Sequence, residues 1–142
     1  RGAGGKAVLG AANYAWNWST DKGDAKEVAF AGKDCLYLKI GTEKGADWRL
    51  PLSLSPGRYR LEAKLQWKGI KAGGDNAKGG RLRVSGGGDN AKSLPLVGDS
   101  PWKAVTADFV VTDNDPTLTV ELRAEAGELW ADRGSITVTR LP

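Results

Sequence analysis

From Tyr59 to Trp67 apolar and polar positions alternate without a break. Tyr59, Leu61, Ala63, Leu65 and Trp67 fall on one side, and Arg60, Glu62, Lys64, Gln66 and Lys68 on the other. A period of two marks a β-strand with one packed face and one wet face. Shorter alternating runs predict further strands from Ala7-Val8-Leu9 and over 12–18, 27–31, 35–40, 48–54, 81–85, 105–111, 118–122 and 136–139. Turn signals separate them: Ala31-Gly32-Lys33-Asp34, Ser55-Pro56-Gly57, Gly98-Asp99-Ser100-Pro101 and Asp113-Asn114-Asp115-Pro116. No segment holds an apolar stripe at helical spacing. The pattern predicts an all-β chain, a two-sheet antiparallel β-sandwich (jelly roll) of about eight to ten strands.

A length of 142 residues suits one such domain over 7–142, with the Gly-rich, charged stretch 1–6 read as a linker remnant. Gly-Gly-Asp-Asn-Ala-Lys occurs twice, at 73–78 and 87–92. Two copies make no solenoid and neither has EF-hand ligand spacing, so the pair reads as similar loops at opposite ends of the strand Arg81–Ser85.

Composition removes much catalytic chemistry. The chain has no His and one Cys, so it holds no Ser-His-Asp triad, no Cys-His pair, no His-ligated metal and no intramolecular disulfide. Cys35 leads into an apolar strand and reads as a small buried residue. A hydrolase or lyase built on two carboxylates stays formally open, but no pair of acids compels it. The 21 basic and 17 acidic residues are interspersed, giving +4 without the clustered stripe of a nucleic-acid surface. No apolar run reaches transmembrane length.

Six Trp residues shift attention to binding. A pyranose has polar edges and an apolar C–H face, and an indole offers that face a flat, rigid platform. Tyr14, Trp16 and Trp18 share one face of an alternating run, which serves equally a core or a stacking platform. Trp48 emerges from a Gly-bounded loop, yet it is in phase with Leu50 and Leu52. Trp67 is in phase with a strong core set, Trp102 packs under a loop after a Pro turn, and Trp130 plugs one end of the sandwich.

One ordered set of features resembles the carbohydrate-binding modules with a galactose-binding-like jelly-roll fold. It consists of Leu54-Ser55-Pro56-Gly57-Arg58-Tyr59, Trp67-Lys68, Gly79-Gly80, Gly98-Asp99-Ser100-Pro101-Trp102, Phe109-Val110-Val111 and Gly127-Glu128-Leu129-Trp130-Ala131-Asp132. The resemblance implies a secreted or cell-surface, non-catalytic module that holds a covalently linked catalytic domain on a polysaccharide or oligosaccharide. It further implies a structural calcium held by Asp132 and by main-chain carbonyls near Lys33; the glutamate expected early in the first strand is missing near Leu9–Asn13. Stacking candidates are Trp48, Trp16, Trp18 and Trp67, and polar partners are Arg49, Arg81, Arg83, Gln66 and Glu121. If Glu62, Lys64, Gln66, Arg81, Arg83, Glu121 and Arg123 lie on neighbouring strands, they form one charged face, and converging Arg and Lys would favour an acidic polysaccharide. The expected partners include no nucleic acid and no membrane, and the expected state is a monomer. The alternative from another class is a structural or protein-interaction sandwich of a larger secreted protein, with its Trp residues buried or at a domain seam.

Overall fold

The computed structural model describes residues 6–10 (backbone), 17–20, 23–75, 77–88 and 90–142. Among these residues ten strands run in chain order: β1 Lys6–Gly10, β2 Asp24–Phe30, β3 Lys33–Lys39, β4 Gly45–Pro51, β5 Gly57–Lys71, β6 Gly79–Ser85, β7 Gly98–Val111, β8 Thr117–Arg123, β9 Ala126–Asp132 and β10 Thr137–Arg140. They form two antiparallel sheets. The larger has seven strands in the order β1-β10-β5-β9-β3-β2, with β7 on the other edge of β5; the smaller is β4-β8-β6. The all-β sandwich expected from the alternation is the observed architecture.

The 15-residue β5 organises the larger sheet. One edge pairs with β7, while the other is shared by β10 at its start and β9 at its end. Tyr59, Leu61, Ala63 and Leu65 are at most 1% exposed, as the period of two demands. Burial of each large side chain among them contributes about 1.5–3 kcal/mol. Gly69, at φ 63°, lies in a register shift that returns Ile70 to the core, a backbone turn that a Cβ would strain.

The small sheet seals that core with Leu50, Leu82, Val84, Leu118, Val120 and Leu122. Backbone bridges widen it on both sides. Ser19 pairs with Arg49 at the β4 edge, and Lys92 and Leu96 pair with Arg83 and Gly80 at the β6 edge. The two Gly-Gly-Asp-Asn-Ala-Lys stretches flank β6, as expected for similar loops at opposite ends of one strand. Cys35 is buried, and desolvation, with Asp132 and Asp34 nearby, pushes its thiol up to about 11.

Candidate functional site

Core-facing parity on β4, β6 and β8 leaves the alternate positions on the outer face of the small sheet. Strand register then fixes their rows. Across the sheet stand Gly45, Arg123 and Gly79, then Asp47, Glu121 and Arg81, then Arg49, Thr119 and Arg83. The middle row puts Glu121 between Asp47 and Arg81, and the flanking rows add Arg123 and Arg83. Glu121 Oε1 accepts from Arg83 Nε at 3.1 Å and stands 3.7 Å from Arg123 Nε, while Oε2 is 3.9 Å from Arg81 Nε. All three guanidinium groups therefore turn their Nε toward one carboxylate. Arg83 also donates from Nη1 to Ser85 Oγ at 3.2 Å. Among the described residues, neither Arg81 nor Arg123 makes a hydrogen bond through its terminal nitrogens.

The glycines above this row keep the face open. A cleft of about 390 Å³ is lined by Asp75, Lys78, Gly79, Arg81, Arg83, Glu121 and Arg123. Gly79, at φ 128°, lies so close to the Leu96 carbonyl that a Cβ there would collide with it. A second depression of about 520 Å³, lined in part by Lys44, Gly45, Asp75 and Arg123, continues past Arg123. The cleft floor is buried: Glu121 and Thr119 lie in the central strand. Asp47, 2% exposed, accepts from Arg49 Nη2 at 3.3 Å through Oδ2. Its Oδ1 is buried without a hydrogen-bond partner among the described residues.

The structure brings together Arg49, Arg81, Arg83 and Glu121, but separates them from Gln66, Glu62 and Lys64. Those three belong to β5, which lies in the other sheet, so the single charged face spanning β5, β6 and β8 is corrected to one on β4, β6 and β8 alone. Arg123, expected on the charged face, does join this group; Asp47, Asp75 and Lys78 were missing from the candidates. Asp47 was detectable as the position in phase with Arg49; Asp75 and Lys78 sit on a loop, where parity gives no signal.

The stacking candidates are corrected as well. Trp48, Trp18 and Trp67 are 5%, 7% and 6% exposed and belong to the core, so none offers a ring face to a sugar. Two buried indoles find backbone acceptors, Trp48 Nε1 donating to Tyr37 O at 3.2 Å and Trp67 Nε1 to Val97 O at 3.1 Å. Trp16 lies outside the described residues. Trp130 does not plug an end of the sandwich. It lies on the outer side of the larger sheet, stacked on Phe30 at 4.5 Å and 13° and tilted against Tyr37 at 5.3 Å. Trp102 touches the same group through Phe30, under Lys33 rather than under a loop.

At the expected calcium position Asp132 already has partners. Asp132 Oδ1 accepts from Gly134 N at 3.1 Å, and Oδ2 stands 3.5 Å from Lys33 Nζ. An ammonium group already supplies the positive charge beside that carboxylate. Among the described residues no group of three or more His, Cys, Asp or Glu could hold a metal ion. A calcium shell asks for six to eight oxygens, so main-chain carbonyls would have to supply most of one at Asp132.

The sandwich has close structural counterparts. TmCBM61 in complex with β-1,4-galactotriose superposes with a TM-score of 0.58 at 18% identity, over 95% of this chain and 99% of that one. The CBM22-1 xylan-binding domain of Paenibacillus barcinonensis Xyn10C gives 0.52 at 16% identity, over 87% and 85% of the two chains. This chain has the fold of carbohydrate-binding modules. The CBM22-1–GH10 modules of Clostridium thermocellum xylanase 10B, complexed with xylohexaose, give 0.61 at 13% identity; there 88% of this chain matches 26% of a longer one. At these identities the likeness is one of fold, on which many functions are built. No family model matches the sequence, and no curated protein matches it.

Proposed function

We propose that this chain is a non-catalytic carbohydrate-binding module whose glycan lies on the outer face of the small sheet. The observation that carries this is the cleft over Glu121, where a carboxylate and three guanidinium groups are held on rigid strands with donor nitrogens left unused. Hydrogen bonds and charge, rather than Trp stacking, do the holding, because no described Trp belongs to that face. Structural neighbours bound to galactotriose and xylohexaose support the reading. The neighbour joined to a GH10 module supports a targeting role beside a linked catalytic domain.

Bond cleavage is not part of the proposal. Asp47 stands across from Glu121, but a carboxylate that is 2% exposed cannot reach a substrate proton. A second reading, a structural or protein-interaction sandwich, draws support from the burial of Trp18, Trp48, Trp67 and Trp130. Isothermal titration against a broad panel of neutral and charged oligosaccharides separates the readings. Binding that is lost in Arg81→Gln supports the module. Absence of heat with every glycan leaves the structural sandwich, and release of reducing ends would point to an enzyme.

A further inference from the structure

The cleft over Glu121 carries more positive charge than its own carboxylates meet. Among the described residues that line it, Lys78, Arg81, Arg83 and Arg123 stand against Asp75 and Glu121, which leaves two positive charges, against +4 for the whole chain. The excess is not spread over a solvated surface. The Arg81 side chain is 15% exposed, and those of Arg83 and Arg123 are 37% and 38% exposed. A half-buried guanidinium loses hydration and gains from a paired anion, and its planar fork matches a two-oxygen acceptor. The nearest atom of each group to Glu121 is its Nε, and the terminal nitrogens of Arg81 and Arg123 make no hydrogen bond among the described residues. A neutral glycan brings hydroxyl groups, which would satisfy the donors but not the charge. A carboxylate or sulfate carried on a sugar ring satisfies both.

We infer that the preferred ligand is an anionic glycan, its acidic group seated between Arg81 and Arg123 beside Glu121. This rests on the reading of the cleft as a sugar site and adds the class of sugar. Glu121 then acts as the template. It holds three like charges together on the sheet, and it repels a second anion from its own position, so the ligand's acid is confined to the outer side of the guanidinium cluster.

The test titrates the whole chain with a galacturonate oligomer, its full methyl ester, a glucuronate and a mannuronate oligomer, a sulfated galactan oligomer, β-1,4-galactotriose, xylohexaose and an oligothymidylate. The expected result is at least one acidic oligomer bound tenfold or more tighter than its ester or any neutral sugar. That preference should shrink at 0.5 M NaCl and disappear in Arg123→Gln. The uronate and sulfate arms show which acid is preferred. Arg123→Lys keeps the charge but removes the fork, so partial retention is expected there and keeps the test valid if Arg123→Gln misfolds. Equal binding of acid and ester, or binding of neutral sugars alone, overturns the anionic preference and leaves the sugar site standing. Equal binding of oligothymidylate overturns it in favour of general polyanion affinity. No binding of any glycan removes both readings.

Discussion

Replacing Glu121 with Gln keeps the shape of the side chain and removes its charge, which isolates what the carboxylate does for the fold. The side chain is 6% exposed, and three guanidinium groups lie with Nε 3.1, 3.7 and 3.9 Å from its oxygens. Removing one partner of a fully buried pair costs about 3–5 kcal/mol, whereas an exposed pair is worth about 0–1 kcal/mol. Arg81 is nearly buried and the other two are over a third exposed, so the site falls between these limits. We expect Glu121→Gln to destabilise by about 2–3 kcal/mol, from lost attraction and from repulsion among cations with no anion between them. For a domain of this size that lowers Tm by about 5–10 °C. Urea unfolding with unchanged m-value is the assay. Adding Arg81→Gln to Glu121→Gln should recover about 1 kcal/mol, because one of the repelling charges leaves. High salt should narrow the gap between mutant and wild type. If Glu121→Gln unfolds within about 0.5 kcal/mol of wild type and the double variant is additive, the carboxylate is not the organiser of the face.

Three further predictions rest on other parts of the sandwich. Ala31 has φ 53° beside Gly32 at φ 77°, so Ala31→Asn should raise stability by about 0.5–1 kcal/mol; a lower urea midpoint would contradict the strain. Arg60 donates to Asp108 at 2.6 and 3.0 Å, and this holds the Asp108 carboxyl below the usual range. The pair's contribution is full above the unfolded value of about 3.9 and is lost as pH falls through the lower folded value. Asp108→Asn should therefore give a shallower acid limb in melting temperature against pH, and coincident acid limbs would refute this. EDTA should leave the melting temperature unchanged, since Lys33 already neutralises Asp132; a clear drop would reveal a bound cation.

The alternation of side chains is local, and so it was legible. Each strand's parity follows from its own few residues, which placed Tyr59, Leu61 and Leu65 inside and Arg60 and Lys64 outside. Trp48 and Trp67 obeyed that parity too: they are in phase with Leu50 and with Leu65, and the core claims them. Their indole N–H groups are met by backbone carbonyls from other segments.

What the residue order determined by itself was therefore the class of fold, the set of buried positions and the short list of charged ones. Register and sheet membership were decided only by the tertiary structure. Asp47, Glu121 and Arg81 come from three distant segments and meet because β8 pairs with β4 and β6. Gln66 had the same outward parity, yet β5 joins the other sheet. Parity is a property of a single chain segment, whereas a site depends on which segments hydrogen-bond side by side. That choice is made by the burial of both inner faces together, which no single strand encodes.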